Sequence, residues 1–197
     1  MKNLSLRQLT ITAIMSAIMC ILGPLSVPIG PVPVSLTVLF VFFSIYLLGT
    51  KLGTLSYIVY LLLGLVGLPV FSGFAGGPAK LFGPTGGYLI GFIPVCIVSG
   101  LIIDKAAGKW YMEFAGMLIG LLILYAFGTA WLSFQAHMSF SQALAAGVIP
   151  FVVFDIIKLV LAMLLGRTLR VRLKDIIGAG AQIKDDKIRT GERNISK

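Results

Sequence analysis

The sequence predicts an all-α integral membrane protein, a bundle of six transmembrane helices with both termini in the cytoplasm. Apolar residues make up 58% of the 197 residues and charged residues only 12%. A soluble domain has about 45–50% apolar and about 25% charged residues. The apolar residues also fall into six long runs, and the basic residues collect on one side of those runs. Together these observations exclude an ordinary soluble domain.

Each apolar run approaches the length of about 20 residues that a helix needs to cross the hydrocarbon core. Unpaired backbone is not tolerated in lipid, and the runs lack the alternation of a β-barrel, so we expect helices. The predicted spans are residues 8–23, 35–50, 52–68, 86–104, 112–133 and 148–168. Because only 49-GTKLG-53 separates the second span from the third, we expect a tight hairpin there.

The positions of Lys and Arg predict the orientation, since cytoplasmic segments carry an excess of both. With the N-terminus inside, Lys80 is the one basic residue of the outer loops. The inner segments contain Lys2, Arg7, Lys51, Lys105, Lys109 and the basic C-terminal end. We therefore expect one transmembrane domain over 1–172 and a polar cytoplasmic tail over 173–197, which can lie on anionic lipid. The net charge of +9 comes largely from basic residues that lie in these inner segments and the tail and form no patch interleaved with aromatic residues, so we expect no nucleic-acid partner.

Two outer loops are unusual because they are apolar and rich in Gly and Pro. The first, 23-GPLSVPIGPVPVS-35, contains four prolines, so we expect a stiff, extended segment rather than a helix. The second, 67-GLPVFSGFAGGPAKLFGPTGG-87, carries a single charge. A solvated loop is normally polar. The composition therefore favours loops that pack on each other or on a ligand, over irregular loops in the headgroup region.

Asp155 and Lys158 are two charges inside the last predicted span. They are three residues apart, which places them on the same helix face. Each charge near the bilayer centre costs about 2.5–3.5 kcal/mol on insertion scales. The pair is therefore either a self-satisfied ion pair near the interface or a polar anchor in a ligand pocket. A carboxylate beside an ammonium matches a small molecule with both N–H donors and carbonyl acceptors, such as a ureido or amide ring.

The turn 84-PTGGY-88 opens the fourth predicted span. Its glycines, Gly86 and Gly87, resemble a phosphate cradle, but the pattern G-x-x-x-x-G-K-[ST] occurs nowhere in the chain, which therefore predicts no ATPase. The glycines instead allow the backbone to pass close to another group at the outer helix end. Tyr88 adds a hydroxyl and a flat ring at that level. It is either a pocket residue or a residue of the interfacial aromatic belt.

The first span carries small residues four apart at Ala13 and Ala17. Small residues on one face let a second helix approach closely, either within the molecule or on another subunit. His137, the single histidine, lies in an outer loop without a Cys or carboxylate cluster. We therefore expect no metal site. The sequence also has no nucleophile–base arrangement, so an intramembrane enzyme is not indicated.

Four stretches of the sequence are similar to the BioY family, the biotin-binding S components of energy-coupling-factor (ECF) vitamin transporters. The matching stretches are 31-PVPVSLT-37, 49-GTKLGTLSYIVYLLLGLVGLPVFSG-73, 83-GPTGGYLIGF-92 and 155-DIIK-158. They occur in order over residues 31–165, and GLPVF with GPTGGYL at this spacing is specific. Ala13-x-x-x-Ala17 resembles the face by which S components dock. Thr37 and Phe74 depart from the family pattern, which often has Gln and a small residue there.

The resemblance implies a six-helix bundle in the plasma membrane that binds biotin near its outer face. It also implies that a membrane coupling subunit and two ATPase subunits supply the energy, and that Ala13 and Ala17 dock on the coupling subunit. Polar atoms of biotin, around the ureido group, would contact Asp155 and Lys158, and the resemblance leaves open which of the two faces the ring and which the valerate carboxylate. The lid and ring slot would be shaped by Gly73, Gly76, Gly77, Gly86, Gly87 and Tyr88. Lys80 would attract the biotin carboxylate or remain a solvated charge.

Three other functions are compatible with parts of the sequence. An S component for another vitamin, such as thiamine or riboflavin, would use the same architecture. A stand-alone facilitator or channel would need a polar stripe along several helices, whereas the buried polar groups here cluster toward one end of the last span. A scaffold without a ligand would leave Asp155 and Lys158 unexplained.

Overall fold

The computed structural model describes residues 5–29, 32–106 and 108–172; the predicted tail over 173–197 lies outside them. The described chain is mostly helical and contains one short two-stranded sheet. In chain order the elements are α1 (Leu6–Leu22), β1 (Ser26–Ile29), β2 (Val32–Ser35), α2 (Thr37–Leu65), α3 (Pro78–Leu81), α4 (Gly86–Lys105), α5 (Trp110–Gln135), α6 (Phe140–Gly147) and α7 (Val152–Arg172).

Helix α2 is interrupted at Gly49, whose φ of 77° and ψ of 177° are not helical. The chain reverses sharply there. A Cβ placed on Gly53 would lie 2.9 Å from the Cα of Ile45, although eight residues of a straight helix would separate them by about 12 Å. The two limbs, 37–48 and 50–65, therefore fold back on each other, as 49-GTKLG-53 predicts.

The second limb of α2 is capped from another helix. Asp104, near the end of α4, accepts hydrogen bonds from the backbone N–H of Thr50 at 3.0 Å and from its hydroxyl at 2.6 Å. The first backbone N–H groups of a helix have no partner within it, and a carboxylate is a favourable acceptor for them. This contact fixes the reversal at Gly49 against α4.

Three helices, α2, α4 and α5, are long and apolar enough to cross a membrane. Helices α6 and α7 together form a fourth candidate, bent by 50° at the break between them. Helix α1 is apolar but has only 17 residues. By length and composition, the described residues therefore contain three or four candidate spans.

Glycines bring α4 and α5 into close contact. A Cβ on Gly120 would lie 1.9 Å from the hydroxyl oxygen of Ser99, and a Cβ on Gly128 would lie 2.1 Å from the ring of Tyr88. Since neither position has room for a side chain, the two helices approach more closely than larger residues would allow. This packing sets the position of Tyr88 relative to α5.

The segment between α1 and α2 is extended, but it is not a single stiff strand. It folds into an antiparallel hairpin in which Pro28 faces Pro33, so the all-α prediction is wrong at this point. Every second pair in an antiparallel ladder exchanges no hydrogen bonds. Two prolines lose no ladder hydrogen bond when they face each other at such a pair, which is why this proline-rich segment can still form a hairpin.

The two Gly/Pro-rich loops contact each other, as their apolar composition predicts. The N–H of Gly73 donates to the carbonyl of Pro24 at 3.0 Å. Phe71 anchors the second loop: its ring is fully buried, packs edge-on against Tyr60 with centroids 5.6 Å apart, and fills the space that a side chain at Gly64 would need. The loops therefore form a packed cover at one end of the helices.

Candidate ligand-binding site

A partly open cavity, whose empty space of about 610 Å³ includes solvent at its mouth, lies at the end of the molecule where the two packed loops lie. Binding pockets for small molecules are mostly apolar, with a few polar groups. The hairpin, the beginnings of α2, α4 and α7, and the middle of α5 surround it. Its walls are formed by Val32, Pro33, Val34, Ser35, Thr37, Val38, Ser72, Thr85, Tyr88, Leu89, Phe92, Leu124, Tyr125, Gly147, Phe151, Asp155 and Lys158.

Asp155 and Lys158 enter the cavity from the first turns of α7. The break between α6 and α7 follows from Pro150, which cannot continue a helix hydrogen-bond ladder. Helix α7 then begins at Val152, so Asp155 lies in its first turn, where a negative charge is favourable. Asp155 is 4% exposed and Lys158 is 8% exposed. Both charges are thus almost fully removed from solvent.

The Asp155 cluster comprises Tyr125, Asp155 and Lys158. The ammonium of Lys158 lies 2.8 Å from Oδ1 of Asp155, and the hydroxyl of Tyr125 donates to Oδ2 at 2.8 Å. A carboxylate has about four acceptor positions and an ammonium has three donors. Two acceptor positions on Asp155 and two N–H donors on Lys158 therefore remain for a ligand.

Tyr88 lines the same cavity from α4. Its hydroxyl donates to the carbonyl of Gly147 at 3.0 Å, and its ring packs on Gly128. Tyr88 thus connects α4, α5 and the end of α6 behind the cavity wall. A role of Tyr88 in ligand binding stays a prediction, and its place in the cavity wall is the observation that bears on it.

Four hydroxyl side chains add polar atoms to the wall and were not predicted as site residues: Ser35, Thr37, Ser72 and Thr85. The hydroxyl of Ser35 donates to that of Thr37 at 3.1 Å. Tyr125 was also missed. Its hydrogen-bond partner, Asp155, is 30 residues away along the chain. The sequence around an aromatic residue in an apolar helix does not indicate such a distant partner. Only its position on the α5 face that holds Leu121 and Leu124 could have indicated it.

Three predicted glycines, Gly73, Gly76 and Gly77, lie in the loop before α3 and are not among the cavity-lining residues. Gly73 and Gly77 have φ values of 76° and 84°, which favour glycine. A Cβ on Gly76 would lie 2.2 Å from the carbonyl oxygen of Leu68. These residues bear on the shape of the loop that carries Ser72.

Gly86 and Gly87 open α4 and are buried, but they do not line the cavity either. A Cβ on Gly86 would lie 1.7 Å from the carbonyl oxygen of Leu81, and a Cβ on Gly87 would lie 2.1 Å from Cβ of Trp131. Both therefore allow the beginning of α4 to pack directly on α3 and α5. This close packing fixes the positions of the neighbouring cavity residues Thr85 and Tyr88.

The remaining predicted residues lie away from the cavity. Ala13 and Ala17 are exposed on α1, whereas Ser16 is buried and donates to the carbonyl of Ser56 at 2.9 Å. The small residues thus form a free outer face of the described chain. Lys80 lies on α3, half-buried, and burial lowers its pKa. The described residues contain no group of three His, Cys, Asp or Glu side chains that could hold a metal ion.

Comparisons with known proteins agree with this architecture. The model of the BioY family matches residues 1–175. The biotin transporter BioY of Thermotoga maritima is 46% identical over 166 residues, which are 84% of this chain and 96% of that protein. The probable biotin transporter BioY of Pyrococcus horikoshii is 38% identical over 164 residues, 83% of this chain and 96% of that protein.

A solved structure has the same fold. The crystal structure of the S-component for biotin from an ECF-type ABC transporter aligns with a TM-score of 0.79 and 34% sequence identity, over 85% of this chain and 95% of that chain. Both the sequence and the fold therefore assign the protein to one group of relatives. The chain belongs to the BioY family.

Proposed function

We propose that this protein is the biotin-binding S component of an ECF transporter, and that it captures biotin in the cavity beside the Asp155 cluster. It is a transport component and not an enzyme. The observation that carries the proposal is the pairing of unused donors and acceptors with an apolar cavity. Relatives named as biotin transporters and a biotin S-component with the same fold support it.

The chemistry of biotin matches the free positions of the Asp155 cluster. A ureido group has two N–H donors and a carbonyl oxygen that accepts two hydrogen bonds. Asp155 has two acceptor positions left and Lys158 has two donors left, because each already uses one or two in the cluster. Phe92, Phe151 and Leu124 offer apolar walls for the rest of the molecule. A neutral polar ring on an apolar body therefore fits the site.

The hydroxyl groups of Ser35, Thr37 and Ser72, which also line the cavity, are suited to the biotin carboxylate, since a hydroxyl donates readily to a carboxylate oxygen. The predicted glycines would act indirectly, by shaping the segments that carry cavity residues. Gly73, Gly76 and Gly77 would hold the loop that carries Ser72. Gly86 and Gly87 would keep the beginning of α4, and thus Tyr88, close to the cavity.

We further propose six transmembrane spans: α1, the two limbs of α2, α4, α5 and α7. The sharp reversal at Gly49 supports two spans within α2. The end of the molecule away from the cavity carries Arg7, Lys51, Lys105, Lys109, Arg167 and Arg170. By the excess of basic residues on the inner side, that end and both termini are cytoplasmic, and the cavity opens outward in the plasma membrane.

Energy would come from partners, a membrane coupling subunit and two ATPase subunits. The exposed Ala13 and Ala17 on α1 support a docking face for the coupling subunit, because small side chains let two helices pack closely in lipid. We expect Ala13→Trp with Ala17→Trp to abolish uptake in proteoliposomes that contain the partners while biotin binding is retained. The control is Ile14→Trp, an exposed position between them. Normal uptake by the double variant would rule out this docking face.

Calorimetric titration of biotin into the ligand-free protein in detergent, without partners or ATP, tests the function. We expect tight binding with a stoichiometry of one and no comparable binding of thiamine or riboflavin. Binding of another vitamin in place of biotin would keep the transporter class and change the substrate. Absence of binding, with passive flux of solutes through liposomes that contain the protein alone, would instead support a facilitator or channel.

A further inference from the structure

We propose that Tyr125 is a positioning residue that limits how Asp155 binds a ligand, and that it makes the cavity select a neutral head group over a cationic one. This inference rests on the proposed function, because it concerns the contact between Asp155 and the ureido group. It assigns a role in specificity to a residue of α5 that no sequence motif marks.

The geometry of the hydrogen bond gives Tyr125 this role. Its hydroxyl donates to Oδ2 of Asp155 at 2.8 Å, while Lys158 occupies Oδ1 at 2.8 Å. Lys158 stands on the same helix as Asp155, so it moves with it. Tyr125 stands on α5 and therefore fixes the carboxylate relative to the rest of the cavity. With both oxygens engaged, the plane of the carboxylate is set before a ligand arrives.

The charge balance explains the selectivity. Asp155 and Lys158 are the two charged residues in the cavity wall, and their charges cancel. A cationic ligand would meet the ammonium of Lys158 and needs a strongly accepting carboxylate to offset that repulsion. The hydrogen bond from Tyr125 uses part of the accepting capacity of Oδ2 and so weakens this attraction. A neutral ligand needs only the two remaining acceptor positions.

The test compares biotin with 2-iminobiotin, in which a guanidino group, cationic at neutral pH, replaces the ureido group. Both are titrated calorimetrically into the wild type and into Tyr125→Phe at pH 7. We expect the wild type to prefer biotin. In Tyr125→Phe we expect the affinity for biotin to fall about tenfold and the affinity for 2-iminobiotin to change little, so that the preference falls about tenfold.

Tyr46→Phe is the matched control. It also removes one buried tyrosine hydroxyl that donates to a buried carboxylate, that of Glu113, and neither residue lines the cavity. We expect this variant to keep the ratio of the two affinities even where its thermal stability falls. A parallel loss of both affinities in Tyr125→Phe, or no change in either, would overturn the role of Tyr125. A wild type that binds neither compound would refute the proposed function itself.

Discussion

Two buried carboxylates, at opposite ends of the molecule, have the same kinds of neighbour and different surroundings. Asp155 is 4% exposed and contacts Tyr125 and Lys158; Glu113 is 3% exposed and accepts a hydrogen bond from Tyr46. Yet only the Asp155 cluster lines the cavity, whereas Glu113 and Tyr46 do not. A buried charge is thus compatible with either a ligand site or a structural contact.

The Glu113 cluster comprises Tyr46, Glu113 and Arg167, and it joins α2, α5 and α7. Arg167 Nε lies 3.9 Å from Glu113 Oε2, and Arg167 also donates to the carbonyl of Gly108 at 3.0 Å. Gly166 packs directly on the ring of Tyr46. The groups of this cluster are therefore used within the protein, while the Asp155 cluster keeps free positions that face a cavity. The Asp155 cluster thus differs from the Glu113 cluster in having unused donors and acceptors next to a cavity.

Asp155→Asn is expected to have the largest effect. It removes the charge that accepts from biotin in the proposed site and leaves Lys158 without its counter-ion, so the affinity for biotin should fall at least about 100-fold in calorimetric titration. The double variant Asp155→Asn with Lys158→Met is the control for folding, because removing both charges avoids an unpaired buried ammonium. If the double variant were stable and bound biotin normally, the cluster would be structural, like that of Glu113.

Glu113→Gln should affect stability and leave binding intact. A buried hydrogen bond to a charged group contributes about 1.5–3 kcal/mol, so we expect the free energy of unfolding in detergent to fall by about 2 kcal/mol. The affinity for biotin should stay within about twofold, since independent sites behave additively. A large loss of affinity would contradict the contrast between the two clusters and would couple them.

Gly49→Ala tests the reversal at the end of the molecule away from the cavity. With φ of 77° and ψ of 177°, Gly49 occupies a region that is nearly exclusive to glycine, and a side chain there costs about 1–3 kcal/mol. We expect a loss of about 1–2 kcal/mol in the free energy of unfolding and unchanged biotin affinity. Gly67→Ala, at the cavity end, is the comparison, since its φ is also positive but a Cβ there would meet open space, whereas a Cβ on Gly49 would lie 3.3 Å from Oδ1 of Asp104. A larger loss at Gly49 than at Gly67 would measure the crowding against Asp104. An unchanged free energy of unfolding in Gly49→Ala would contradict a strained reversal.

Arg167→Gln should have the smallest effect. The side chain of Arg167 is 43% exposed and its contact with Glu113 is long, at 3.9 Å. An ion pair this open to solvent contributes less than about 1 kcal/mol. Thermal unfolding in low and in high salt measures it, and the small difference between wild type and variant should shrink as salt rises. A loss as large as that of Glu113→Gln would show that the pair acts as a buried one.

The sequence predicted the long helices well, missed the short helices α3 and α6, and predicted the contacts between helices poorly. The limits of α4 and α5 lie within two residues of the predicted spans, because apolar runs bounded by Gly, Lys and Pro specify helix ends locally. The hairpin before α2 was missed. Prolines normally argue against a strand, but Pro28 and Pro33 face each other in the hairpin. The sequence of β1 or of β2 taken alone does not show this pairing.

The candidate site was predictable only where its residues share one helix. Asp155 and Lys158 are three apart, so the helix repeat alone brings them together. The partners of Glu113 lie on other helices, and Tyr46 is 67 residues away. Tyr125 likewise lies on another helix than Asp155, 30 residues away along the chain. Such contacts depend on how helices pack, which no local pattern encodes.

A crystal structure of the protein with biotin bound would test the proposed contact between the Asp155 cluster and the ureido group. We expect the ureido nitrogens at about 2.7–3.2 Å from the carboxylate oxygens of Asp155, with the ureido oxygen at a similar distance from the ammonium of Lys158. Biotin bound elsewhere, with the Asp155–Lys158 contact of 2.8 Å unchanged and the cavity empty of ligand, would contradict it.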